Sequence, residues 1–311
     1  MIKLDVKKII KRLSELFFTL LFVTLLSFIL MRVSKVDPAT AYAKRAIGNP
    51  TELQIENIRS SMGFDKPLLV QYFSWLKGLF QMDLGKSLVS GYSVWDEIWK
   101  AFPKTLLIVG ISSIIQFISI IVIGSLMFIL KNKLIRRLFK VLCIVGISVP
   151  SFYISTLFLD IFGVKYNLIS VTNNIGFKGS IPPAICLAVF IICFYVPLFY
   201  NGLIKESNED YSMYLRCQGL SEFKILINHL IPNGILGIIP SFLQSIGLSI
   251  AGATVIERVF SVPGFGYLIV NSVIERDAPM IHSTVFFLAF FIALMNIIAD
   301  IINERIEGER S

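Results

Sequence analysis

Apolar residues along this 311-residue chain gather into long, nearly unbroken runs and do not alternate with polar ones. Six runs approach or exceed the roughly 17–25 residues that cross a bilayer: Leu16–Val33, Thr105–Leu130, Leu138–Phe162, Ile181–Ile204, Gly234–Ile256 and Ser283–Ile302. Backbone groups cannot stay unpaired in lipid, so each run is predicted to be a helix. Two polar stretches interrupt them. The first, Ser34 to Lys104, is the only sizeable segment outside the runs. Within it Pro50-Thr51-Glu52 reads as a helix start with Leu53, Ile55 and Ile58 as its apolar face. Met62 to Leu68 breaks that helix, and Gln71, Tyr72, Trp75, Leu76, Leu79 and Phe80 then recur at helical spacing. The second stretch, Lys205 to Asn233, is wedged between two runs. There Asn208, with Ser207 behind it, can cap a helix whose first turn carries Glu209 and Asp210. Gly219 can take the backbone angles that stop this helix, and Ser221-Glu222 offers a second start that runs into Pro232.

Composition fixes the class. With 55% hydrophobic and 16% charged residues and a mean hydropathy of +0.75, a soluble domain is excluded. The beginning resembles a secretory signal, with cations, an apolar run and then Ala39-Thr40-Ala41. Its run is longer than the usual core of about 7–15 residues, and Arg32, Lys35 and Asp37 precede the alanines, so a retained first helix is expected. Lys3, Lys7, Lys8, Lys11 and Arg12 crowd the N-terminus, and Lys131, Lys133, Arg136, Arg137 and Lys140 lie between the second and third runs. The short loops on the other side hold only Lys165, Lys178, Arg258 and Arg276. The positive-inside rule then puts both termini, the 131–137 link and the second polar stretch in the cytoplasm. The net charge of +8 reads as topology and attraction to lipid headgroups, with no nucleic acid involved.

Candidate chemistry is sparse. Cys143, Cys186 and Cys193 fall inside runs and Cys217 in the second polar stretch, without metal-type spacing; they read as packing residues. His229, His282, Asp160 and Asp300 (Asn296 a turn earlier) are scattered, so neither a metal cage nor a catalytic set is expected. Gly85-Lys86-Ser87 is not a phosphate loop, because Phe80 stands where the required upstream glycine would be. Pro150 is either a tolerated kink or a flexing point beside a pathway. Ser241, Ser245, Ser249 and Ala253 recur every four residues, with Gly247 and Ala251 as a second small pair. That stripe suits close helix packing or a solute-lining face.

Three stretches carry a family resemblance. Gly219, nine residues, then His229-Leu230-Ile231-Pro232 keep the spacing of the cytoplasmic "EAA" loop of bacterial ATP-binding-cassette importer permeases, whose pattern is E-A-A, three residues, G, nine residues, I-x-L-P. Met213, Tyr214 and Leu215 replace its opening letters, and His229 replaces the isoleucine. Glu209-Asp210-Tyr211 and Gln218-Gly219-Leu220-Ser221 resemble the dipeptide, oligopeptide and nickel branch. Gly63 to Phe80, followed by Asp83 to Leu88, resembles the outer segment of that branch. Glu257 to Gly266 is similar to its E-T-V-F-x-x-P-G-L-G segment. Relatives often carry arginines before the cytoplasmic loop, whereas Phe199-Tyr200-Asn201-Gly202 has none.

The resemblance implies an all-α polytopic membrane protein with six transmembrane helices and the type I importer permease fold. Residues 1–104 would form helix one and an extracellular segment, 105–303 the permease domain with coupling loop 205–233, and 304–311 a cytoplasmic tail. Glu209, Asp210, Tyr211, Arg216, Gly219, Leu220, Ser221, Phe223 and Pro232 would dock and couple to an ATPase, with Leu220 and Phe223 as apolar anchors. Pathway candidates are Pro150, Ser245, Ser249, Glu257, Pro263, Gly264 and Gly266, the last three as a tight outer turn. The chain would bind no cofactor; ATP and magnesium would sit on two cytoplasmic ATPase subunits. A homologous permease subunit, an extracellular solute-binding protein and membrane lipid complete the implied partners, in a bacterial cell membrane. Di- or oligopeptides, nickel and metal–chelator complexes are the implied solutes. The rivals are a polytopic membrane enzyme, which needs a convergent catalytic set, and an ion-driven transporter, which is expected to show broken helices and internal repeats.

Overall fold

The computed structural model describes residues 6–33, 38–130, 132–168 and 176–310. Among them the chain forms α1 (Val6–Val33), α2 (Pro38–Ile47), α3 (Glu52–Ser61), α4 (Leu68–Phe80), α5 (Val94–Ile129), α6 (Lys133–Ser148), α7 (Ser151–Phe158), α8 (Phe177–Ser207), α9 (Asp210–Cys217), α10 (Glu222–Ile225), α11 (Ile231–Val259), α12 (Phe265–Ile274) and α13 (Ala278–Arg310). Two π-helical stretches, Leu159–Lys165 and Leu226–Leu230, follow α7 and α10. Ile10–Val33, Val94–Ile129, Phe177–Ser207, Glu222–Val259 and Ala278–Ile306 are long and apolar enough to cross a membrane. A sixth span arises if α6 and the stretch Ser151–Lys165 count as one, bent by 97°.

That bend corrects the expectation at Pro150. The predicted run was a single helix kinked by its proline, but the helix is broken there. Val149, ahead of the ring, is driven out of the α region and sits at φ −87°, ψ 124°, and Pro150 then opens α7. Proline alone is not the cause, since α8 stays continuous through Pro182, Pro183 and Pro197.

The chain divides into two compact units. The first comprises residues 1–105 and 263–294, the second 106–262 and 295–311. In the first unit α4 lies along α1, where the buried Tyr72 hydroxyl meets Thr24 Oγ1 at 3.0 Å and the Leu21 carbonyl at 3.3 Å. Phe28 stacks on His282 with centroids 3.6 Å apart, and Ser27 Oγ lies 2.8 Å from His282 Nδ1. Helix α3 starts where expected, on a reciprocal capping box between Thr51 and Gln54. Its apolar face is narrower than expected: Ile55 and Ile58 are half-buried, while Leu53 is exposed.

Gly85-Lys86-Ser87 belongs to a turn closed by the antiparallel Lys86–Ser93 bridge. Gly85 takes φ +79° there, and its N–H donates to Asp83 Oδ1 at 2.9 Å. The buried Asp277 pins this turn, accepting from Ser87 Oγ at 2.5 Å and from the Leu88 N–H at 3.1 Å.

In the second unit α8 packs on α6, α7 and α11. Tyr195, Phe199 and Leu203 of α8 share a core with Ile120, Leu226, Leu230 and Phe242. The close approaches fall on glycines outside the serine stripe. A Cβ on Gly234 would lie 3.1 Å from Phe199 and Leu203, and one on Gly252 would lie 3.3 Å from Leu187. Within the stripe Ser241 is exposed. Ser245 and Ser249 are buried and donate to carbonyls of their own helix, Phe242 at 2.6 Å and Ser245 at 2.8 Å.

Candidate functional site

The second polar stretch is a helical stirrup between α8 and α11. Its entry differs from expectation. Helix α8 outlasts its apolar run by three residues, through Lys205, Glu206 and Ser207, which turns Asn208 into the C-cap of α8. Glu209 takes the N-cap position of α9 at φ −71°, ψ 151°, with no side-chain capping bond. Asp210 still lies in the first turn, where a carboxylate suits the helix dipole.

The reversal follows the sequence closely. Gly219 sits at φ +82°, and apart from its two chain neighbours nothing lies within 4 Å of where a Cβ would stand. Backbone angle alone, not crowding, demands glycine there. Ser221 Oγ then accepts from the Lys224 N–H at 3.4 Å and starts α10. The π-helical stretch Leu226–Leu230 leads into the first turn of α11, where Pro232 lies. Proline has no N–H to offer the preceding turn, and the wider π turn carries the chain past it without a stop.

Two polar clamps hold the inner side of the stirrup. Tyr211 Oη donates to Glu206 Oε2 at 2.8 Å and accepts from Asn233 Nδ2 at 3.1 Å, joining the end of α8 to the start of α11. Arg216 donates to the Ser207 carbonyl at 2.8 Å, to Ser207 Oγ at 2.5 Å and to Glu222 Oε1 at 2.8 Å. It thereby ties the end of α8 to the start of α10. Burial pushes the Tyr211 phenol above its usual range; the Asn233 hydrogen bond opposes this and the Glu206 carboxylate adds to it. The phenol therefore stays protonated and keeps its donor role.

The outer side is exposed and carries large apolar and aromatic side chains among polar ones. Met213 is 63% exposed, Tyr214 64% and Phe223 63%. Leu220, expected beside Phe223 as an anchor, is half-buried against the core of the second unit. Met213 and Tyr214 were not singled out from sequence as apolar surface, because they occupy the letters where the loop pattern fails. Glu206, Ser207 and Asn233 were missed as well, since their bonds span 5, 9 and 22 residues and leave no local spacing to read. Glu209, Asp210 and Ser221 are exposed.

Of the pathway candidates, Pro150, Ser245, Ser249 and Glu257 belong to the second unit and Pro263, Gly264 and Gly266 to the first. Glu257 is wholly buried near the end of α11. The chain reverses after it on Ser261, at φ +52°, where the Val262 N–H returns to the Glu257 carbonyl at 2.9 Å. The tight turn was expected at Pro263, Gly264 and Gly266, and the left-handed residue lies before them. Gly264 is extended at φ −93°, ψ −175° and precedes α12, and Gly266 is buried inside that helix. Pro263 is exposed, and its carbonyl accepts from Lys104 Nζ at 3.2 Å. The Phe265 N–H donates to Thr105 Oγ1 at 2.8 Å.

Comparison with known proteins bears on the fold and the function. Residues 120–309 match the family model described as "Binding-protein-dependent transport system inner membrane component", and residues 5–109 match its N-terminal companion, "Binding-prot-dependent transport system membrane comp, N-term". A metal-staphylopine import system permease protein of Staphylococcus aureus (strain Mu50) is 29% identical over 298 residues, 96% of each chain. A putative peptide transport system permease protein of Brucella abortus (strain 2308) is 29% identical over 302 residues, 94% of this chain and 95% of its own. A nickel import system permease protein of Staphylococcus aureus (strain MRSA252) is 30% identical over 297 residues, 96% of this chain and 89% of its own.

Proposed function

We propose that this chain, which belongs to the binding-protein-dependent transport system inner membrane component family and is a permease subunit of an ATP-driven importer, is driven through residues 205–233. The observation that carries this reading is the two-sided stirrup. Its inner side is clamped to α8, α10 and α11 through Tyr211 and Arg216, while its outer side offers Met213, Tyr214 and Phe223. A rigid element with an exposed apolar face fits a groove on another protein, because interface energy concentrates in a few buried apolar anchors. The groove belongs to one of two cytoplasmic ATPase subunits, which hold ATP and magnesium. Closure of the ATPases pulls the stirrup, and the clamps pass that displacement into α8 and α11.

The pathway forms between this chain and a homologous permease subunit, fed by an extracellular solute-binding protein. Both termini and the stirrup face the cytoplasm. The relatives named for metal–staphylopine, nickel and peptide import support a small polar solute of those kinds, a short peptide or a nickel or metal–chelator complex. Uptake by the reconstituted importer, measured beside retention of the ATPases on the affinity-purified permease, tests the reading. Phe223→Ala is expected to lower both several-fold, while Lys224→Ala changes neither by as much as twofold. Full uptake and full ATPase retention in Phe223→Ala together with Met213→Ala would overturn it.

A further inference from the structure

The first two turns of α6 hold a cation arrangement that the importer reading does not use. Lys133, Arg136, Arg137 and Lys140 fall within eight residues of one helix, whose first turn carries no acid. Among the described residues, none of the four pairs with a carboxylate. Two are nonetheless held in place by one buried side chain. Arg136 Nη1 donates to Tyr200 Oη at 3.2 Å, and Lys140 Nζ stands 5.2 Å from the centroid of the same ring. Tyr200 is only 4% exposed, so it cannot swing out with them. Two like charges fixed against one ring, without a counter-ion among the described residues, are in place for an anion that both can share. Further along α6 the side chains of Ile144 and Ile147, four and seven residues past Lys140 and so on the same face of the helix, are exposed. The surface therefore has a cationic end and an apolar length, in the order of a phospholipid's headgroup and acyl chain.

We infer that Arg136 and Lys140, set by Tyr200, form a binding site for the headgroup of an anionic phospholipid whose acyl chain lies along the exposed face of α6. The site is separate from the stirrup and rests only on the chain's being a membrane protein. Tyr200 orients the cations and does not itself meet the phosphate. A bare basic surface would attract anionic lipid diffusely, gaining roughly fivefold for each cation. A clamp differs in that its two cations count for more than their two neighbours on the same helix.

The test is native mass spectrometry of the full-length chain purified with its co-expressed partner subunits. The detergent micelles are titrated with either dioleoyl phosphatidylglycerol or dioleoyl phosphatidylcholine. The wild type is expected to retain the glycerol lipid about tenfold or more over the choline lipid. Arg136→Gln with Lys140→Gln should lower its affinity for phosphatidylglycerol by roughly 25-fold, leaving phosphatidylcholine unchanged. Lys133→Gln with Arg137→Gln should cost several-fold less. Tyr200→Phe, which removes no charge, should still weaken phosphatidylglycerol binding by freeing Arg136, and it keeps the test valid if the double variant misfolds. Equal retention of the two lipids would overturn the inference, as would equal losses from the two double variants. So would displacement of the lipid by millimolar inorganic phosphate, which marks a soluble-anion site, or loss of the preference only when the second permease subunit is bound, which marks a subunit interface.

Discussion

At the scale of single residues, the structure separates positions that need a particular backbone from positions that need a particular partner. Gly219 is the first kind. Its φ of +82° faces open space, so the penalty of a side chain is backbone strain of about 1–3 kcal/mol and nothing else. Gly219→Val should therefore insert normally yet displace the stirrup, lowering uptake several-fold while the ATPases detach or hydrolyse ATP without solute control. Asn tolerates the left-handed region, so Gly219→Asn should recover most of the uptake. Equal uptake in the valine and asparagine variants would remove the backbone explanation. Asp277 is the second kind. Its carboxylate is buried and takes hydrogen bonds from Ser87, Leu88 and Met280. Bonds to a charged acceptor contribute about 1.5–3 kcal/mol each, so Asp277→Ala should loosen the turn at residues 85–93. Limited proteolysis of the purified complex should show new cleavage there; an unchanged digest would mean that Asp277 does not hold the turn. Gly219 was legible because a turn glycine between two polar helices has a local signature. Asp277 was not, because its partner Ser87 lies 190 residues away.

At the scale of elements, the long apolar runs gave the spans directly, since length and hydropathy are local properties. What they could not give is where a helix ends inside polar sequence or breaks inside apolar sequence. Helix α8 runs on to Ser207 because nothing in Lys205-Glu206-Ser207 forbids a helix, and the expected cap at Asn208 became its end. The 97° break between α6 and α7 hangs on the extended backbone of Val149, which sequence shows only as the residue before a proline. The clamps of the stirrup are likewise an element-scale property, and they divide docking from transmission. Tyr211→Phe removes the hydroxyl that links Glu206 of α8 to Asn233 of α11, a loss of roughly 1.5–3 kcal/mol for the bond to the carboxylate and roughly 0.5–1.5 kcal/mol for the bond from the amide. The exposed apolar face is untouched. We expect full ATPase retention with more ATP hydrolysed per solute imported, the opposite pattern to Phe223→Ala. The bond also has a defined pH dependence. The folded phenol titrates above its ordinary value near 10. Stability from this source is thus fully present below about pH 10 and is lost only as pH rises through the raised value. The ratio of ATP to solute in the wild type should be flat between about pH 6 and 9 as far as Tyr211 governs it. A Tyr211→Phe variant that matches the wild type in that ratio would show that the clamp transmits nothing.

At the scale of the whole molecule, the arrangement across the membrane rests on where the cations lie. Lys7, Lys8, Lys11 and Arg12 stand at the start of α1, and Lys133, Arg136, Arg137 and Lys140 at the start of α6. The stirrup follows α8, the next long span after the bent pair, so it returns to the side of those cations if that pair crosses as one span. If the pair instead enters and leaves by the same face, the chain crosses one time fewer, and the stirrup falls on the side opposite the start of α6. The two arrangements are separable by labelling. Cys217 is exposed within the stirrup and would report on its own, so the background for the test is Cys217→Ser. In that background Ser221→Cys and Ser90→Cys place single exposed thiols in the stirrup and in the turn before α5. A membrane-impermeant maleimide added to intact cells should modify the cysteine at 90 and spare the one at 221, and inside-out vesicles should give the reverse. Modification of both from the same face would mean that the bent pair does not cross. The stirrup could then not meet a cytoplasmic ATPase while residues 38–93 face the solute-binding protein, and the coupling role would fall with the topology.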